Sequence, residues 1–175
     1  MKKIYFLLFF VAVLGGCGSL ETQFKQASEP MEDQPRARLR IIANSLVKAV
    51  PGKSCIDWSS PGAGTVFGGG FGSSGYKGRT LNMPYPPNVK KSEMGELYVS
   101  ADKPLTLAFL TTPEGISSGG RTYHCQVSGT FIPGKDKDYE ASLILDPAKS
   151  QCFFGLTELG ENRSPVPITS ASLCK

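Results

Sequence analysis

Histidine and tryptophan are almost missing from this chain: its 175 residues hold one of each, His124 and Trp58. With a single imidazole, no serine or cysteine away from His124 can borrow one as its base, which removes most nucleophilic designs at once. The five cysteines lie far apart and lack the paired short spacings of a tetrahedral zinc site. No apolar stretch approaches the ~18–20 residues that a helix needs to cross a hydrocarbon core; the longest, residues 4–14, has eleven. Charge of one sign is also short. Nineteen basic residues face fifteen acidic ones, with no concentrated basic stripe of the kind that nucleic acid demands. A sustained 3.6-residue apolar period of helical length is absent too, which argues against a helical bundle.

What is present begins at the N-terminus. Lys2 and Lys3 precede the apolar run 4–14, and the small residues Gly15 and Gly16 close it; this is the three-part layout of a signal peptide. Leu14-Gly15-Gly16-Cys17 resembles the lipobox of bacterial lipoproteins, in which a leucine and two small residues precede a cysteine that is acylated before the leader is removed. The resemblance implies a signal peptide over 1–16 and a diacylglycerol thioether on Cys17, followed by amide acylation of the new N-terminus. More than one chain makes a stable anchor, where a single chain holds only marginally. Gly18 stands where inner-membrane lipoproteins of enterobacteria usually carry Asp, so the resemblance implies the outer membrane.

Removing residues 1–16 takes away two lysines and leaves 17 basic against 15 acidic residues, a net charge of +2. A mature chain of this length fits one domain with an ordinary core. Four cysteines remain in it, Cys55, Cys125, Cys152 and Cys174, and an even number in a chain bound for an oxidising compartment implies two disulfides. Three pairings are open; the one expected here joins Cys125 to Cys152 across neighbouring strands and Cys55 to Cys174. Residues 17–35 read as the lipidated cysteine and a flexible tether, being poor in apolar residues and without a period.

From Arg36 onward the period changes to two. Ala37, Leu39 and Ile41 alternate with Arg36, Arg38 and Arg40, as in a half-buried strand with three arginines on its wet face. Further strands are expected over 55–58, 96–99, 105–110, 122–127, 139–145 and 152–159, with a short edge strand at 166–168 and a helical turn near 90–95. Short strands with Gly and Pro punctuation predict an all-β domain over 36–175, an antiparallel β-sandwich, with a barrel as the alternative.

Residues 62–78 contain eight glycines with Phe67, Phe71 and Tyr76 interleaved. Three readings stand: a mobile loop presenting Phe67, Phe71, Ser74, Tyr76 and Lys77 to a partner, a floppy surface excursion, or a set of glycine-weakened edge strands. Gly70-Phe71-Gly72-Ser73-Ser74-Gly75 has the letters of a dinucleotide fingerprint, but the sequence after it cannot begin the helix that chemistry requires. Gly115-Ile116-Ser117-Ser118-Gly119 spells a nucleophile elbow shortly before His124; a strand-like segment follows, and every nearby aspartate comes after the histidine. Asp136, Asp138 and Glu140 alternate with lysines and read as a solvated turn rather than a calcium site. Trp58, beside Cys55, reads as core packing against a disulfide.

These features predict a non-enzymatic lipoprotein, held through lipid on Cys17 at the periplasmic face of the bacterial outer membrane. Its expected role is binding or accessory, toward a protein of the envelope, with no cofactor, metal or nucleic acid. Other readings are kept. Tyr123-His124-Cys125 and residues 74–78 resemble short motifs of membrane-bound lysozyme inhibitors, though in a different order. Size and class also suit a secretion-apparatus lipoprotein with a transthyretin-like sandwich. A serine hydrolase using Ser117 is the enzyme alternative.

Overall fold

The computed structural model describes residues 25–68, 74–111, 115–146, 148–149 and 151–175. The expected signal peptide over 1–16, Cys17 and Phe71 lie outside them. Twelve strands follow in chain order: β1 Arg36–Ile42, β2 Leu46–Pro51, β3 Gly64–Phe67, β4 Met94–Ser100, β5 Leu105–Leu110, β6 Ile116–Ser118, β7 Arg121–Tyr123, β8 Gln126–Phe131, β9 Asp138–Asp146, β10 Gln151–Glu158, β11 Ser164–Pro165 and β12 Thr169–Ser170. A 3-10 turn over Lys91–Glu93 leads into β4. One sheet has the order β11-β10-β9-β1-β4 and the other β12-β8-β5-β2-β3, with β6-β7 as a separate hairpin. The fold is a sandwich, and neither sheet closes into a barrel. All pairings are antiparallel except β1 with β9, which run parallel.

The alternation read from the sequence explains the core. Ala37, Leu39 and Ile41 of β1 face Val47, Phe109 and Leu107 of the opposite sheet, and Leu97, Val99, Tyr139 and Ala141 complete the layer. Phe109 packs on Phe154 with ring centroids 5.0 Å apart. Cys125, just before β8, bonds to Cys152 on β10, so this disulfide ties the two sheets together instead of joining neighbouring strands of one sheet. Cys55 bonds to Cys174.

Several boundaries differ from expectation. Residues 55–58 form no strand; Ile56 makes one isolated parallel bridge to Leu173 while 58–59 turn. The expected strand 122–127 is divided between β7 and β8 at His124 and Cys125. The edge expected at 166–168 is instead the stretch between β11 and β12, where Val166 and Ile168 pack against the core.

From Lys25 onward the expected tether over 17–35 is instead a strap held on the fold. Lys25 O accepts from Thr65 N, Ala27 N donates to Thr65 O, and Ala27 is buried. Residues 25–30 then cross to the other sheet, where Glu29 accepts from Tyr98 N at 2.6 Å and pairs with Arg79 at 2.8 Å. Low apolar content misled here because this strap is held by backbone hydrogen bonds and one small buried residue, which leave no periodic signature.

Candidate functional site

The outer face of the first sheet carries the arginines. Arg36 lies over the Tyr98 ring at 3.9 Å, and Arg38 forms a bidentate pair with Asp138 at 2.6 and 2.7 Å. Arg40, expected to be wet, is only 1% exposed. Its five N–H donors are all used: Nε on Glu96, one terminal nitrogen on Glu140 and Tyr85 O, the other on Met83 O and Pro84 O. Glu96 also accepts from the backbone N–H of Leu81 and Met83, and Glu140 accepts from Arg163. Two arginines therefore meet two carboxylates, and the cluster is neutral. Its consequence is that residues 81–85 are clamped over the sheet as a lid. Asn82 and Tyr85 sit there at φ 54° and 52°, in the left-handed region.

The glycine-rich segment is likewise part of the fold where it is described. Phe67 closes β3 at 2% exposure, and Tyr76, at 7%, donates its hydroxyl to Ala27 O at 2.6 Å. Burial raises the Tyr76 phenol above its ordinary pKa. Neither aromatic is presented to a partner, so that part of the binding-loop reading is corrected. Ser74 and Lys77 are exposed. Residues 75–79 form a second strap, bridging Phe67 of β3 through Gly75 and Gly95 of β4 through Lys77. The glycines serve close backbone approach: a Cβ at Gly64 would lie 2.4 Å from Lys25 O, and one at Gly75 2.4 Å from Val66 O. The two straps are thus seated on β3 at positions where any larger residue would push them off.

The outer face of the second sheet is covered by residues 53–60 and the C-terminal tail. Thr106 donates to Lys53 O at 2.8 Å and accepts from the Thr130 hydroxyl 2.6 Å away, which also lies 3.3 Å from Ser54 O. Lys48 stacks its ammonium 5.0 Å from the Trp58 ring, and burial lowers its pKa below the ordinary lysine value. Trp58 is half-buried over that lysine rather than a full core residue. Asp57 accepts from Lys53, Ser59 and Ser60, which hold its carboxyl below the usual carboxylate range. Cys55–Cys174 staples this layer shut.

Ser117 sits on the β6-β7 hairpin, whose tip is Gly119-Gly120, and pairs with Thr122 in register; no helix follows it. Both Ser117 and His124 are exposed. Asp138 and Glu140 are committed to Arg38, Arg40 and Arg163, and Asp136 lies exposed beside Lys135, so the three carboxylates do not converge. Among the described residues no group of three His, Cys, Asp or Glu side chains is placed to hold a metal ion. Within them, no helix is long and apolar enough to cross a membrane.

What remains open is a strand edge. The β3 edge is closed by the straps, the β4 edge by residues 77–79 and Glu29, β8 over 128–130 by β12 and Ala171, and β10 from Leu156 onward by β11 and Val166. Among the described residues nothing pairs with the outer edge of β10 at positions 151–155. Phe153 and its cross-strand partner Ile144 stand on the outward face there, 43% and 50% exposed. This neutral edge carries none of the charges or prolines that usually blunt one. Periodicity flagged β10 as a strand but not as an edge, because edge status depends on sheet order.

No protein-family model matches the chain, and no curated protein matches it.

Proposed function

We propose that the protein is a lipid-anchored envelope component whose sandwich domain works by binding, attached through Cys17 at the periplasmic face of the bacterial outer membrane. The observation that carries this reading is the arithmetic of the cysteines. Four pair with one another inside the domain, and the fifth, Cys17, is the one that follows Leu14-Gly15-Gly16. Disulfides support an oxidising compartment, and an odd cysteine set apart for chemistry of its own suits acylation. The open β10 edge supports a binding role, since strand addition uses main-chain hydrogen bonds for affinity and outward side chains such as Phe153 for selectivity.

Intact mass of the membrane-extracted protein tests the anchor. Cleavage before Cys17, added acyl mass and four thiols released only on reduction are expected, with no acyl mass in Cys17→Ser; an unacylated chain overturns the reading. The binding role is tested with a photo-crosslinking residue at position 153. A discrete protein adduct is expected there and none from the exposed position 135; equal labelling at both sinks the edge as the binding surface.

The lysozyme-inhibitor alternative loses the support of residues 74–78, because Tyr76 spends its hydroxyl inside the domain. No observation favours the secretion-apparatus alternative over the general reading.

A further inference from the structure

We infer that the strapped side of the sandwich, where the chain enters from Cys17, lies against an anionic bilayer surface. The inference rests on the anchoring proposed above. The described chain begins at Lys25, on the β3 edge. Eight residue steps separate it from Cys17, and at ~3.6 Å per fully extended residue they span no more than ~29 Å. An anchored domain therefore cannot turn its β3 edge far from the headgroups, and that side must tolerate them.

Its charges do more than tolerate. The straps run from the β3 edge to the β4 edge and carry Lys25, Lys77 and Arg79; Lys90 and Lys91 join at the turn leading into β4. Arg79 is paired with Glu29, while the four lysines are exposed and form no ion pair among the described residues. Glu93, capping the Lys90 N–H, is the other acid there. Five basic against two acidic residues give this side +3, more than the whole mature chain, whose 17 basic and 15 acidic residues sum to +2. The rest of the molecule is thus slightly negative, and Glu32 and Asp33, just past the first strap, lie with Lys135 and Asp136 at the Pro35 end of the sandwich. Anionic phospholipid headgroups attract such a patch within about one Debye length. Anchor position and charge asymmetry select the same side independently.

Trp58, the one tryptophan, reports on this geometry without labelling. It lies over Lys48, the register partner of Thr65, which in turn bridges Gln26; at ~4.8 Å per strand it sits about 10 Å laterally from the entry point. Acylated full-length protein is reconstituted into phosphatidylcholine vesicles with or without phosphatidylglycerol, each with a dansyl headgroup lipid as energy acceptor. Transfer from Trp58 is expected to be about two-fold higher in the anionic vesicles and to fall to the neutral value at 1 M salt, where the screening length is ~3 Å. Lys90→Glu/Lys91→Glu, at exposed positions outside the packing, should do the same at low salt. Lys25→Glu is the second variant, and flotation shows whether each protein is still anchored. Equal transfer in both vesicle types from protein that floats overturns the inference; protein that fails to float in any vesicle instead defeats the anchoring it rests on.

Discussion

Arg40→Ala is expected to lower folding stability by about 3–5 kcal/mol, the range for stripping one partner from a buried ion pair. The size follows from what is left behind. Glu96, 2% exposed, would lose its cation while still fixed to the N–H groups of Leu81 and Met83, and the carbonyls of Met83, Pro84 and Tyr85 would lose the guanidinium donor that holds them. Glu140 would keep Arg163, so the uncompensated charge is mainly that of Glu96. Arg38→Ala, two residues along the same strand face, should cost no more than about 1 kcal/mol, because that pair is one-third open to solvent on the arginine side. Urea unfolding of the disulfide-intact protein, followed by Trp58 emission, separates the two. Arg40→Met combined with Glu96→Gln should recover part of the loss, since the buried charge then disappears with its partner. A cost below about 1 kcal/mol for Arg40→Ala would mean that the lid over residues 81–85 is held by something other than this guanidinium.

The contrast between those arginines shows where sequence reading stops. Period two placed Ala37, Leu39 and Ile41 in the core and put Arg36, Arg38 and Arg40 on the opposite face, and all of that is seen. It could not show that this face is itself covered, because the cover comes from residues 43–45 positions further along the chain and adheres through carbonyls, which every residue has. The same limit hid β2. Lys48 and Pro51 disguised β2, although Lys48 is accommodated under Trp58 and Pro51 stands at the strand end. β3 fits the edge-strand reading of the glycine-rich segment, but its glycines serve close approach of a second backbone rather than looseness. Fold class and the number of disulfides were legible because apolar alternation and cysteine number are local facts, whereas the choice among three pairings depends on how the sheets face each other. The open β10 edge and the basic side were not, since each is a property of sheet order and of where two straps cross it.

Removing Cys55–Cys174 by alanine substitution at both positions is expected to have the largest effect of any single covalent change. In the chain-entropy model a bridge spanning 119 residues restricts the unfolded state by about 5 kcal/mol, against about 3.5 for the 27 residues spanned by Cys125–Cys152. The structure adds a reason for the same order. Cys174 holds a tail whose strand β12 is two residues long, and Cys55 holds the segment that covers Val50, Thr106 and Lys48. Without that staple both layers can open while the inter-sheet bridge stays, so the Cys55→Ala/Cys174→Ala protein should expose Trp58 to aqueous quencher before it unfolds globally. The Cys125→Ala/Cys152→Ala protein should instead unfold in one step with Trp58 still covered. Equal losses from both pairs, with Trp58 equally shielded, would defeat the stapled-layer account. The two bridges together represent about 8 kcal/mol, comparable with the ~5–15 kcal/mol by which folded domains exceed their unfolded states. Stability measured with and without reductant thus tests the oxidising compartment proposed for the protein as well as the fold: a large loss on reduction is expected, and an unchanged midpoint would count against that compartment.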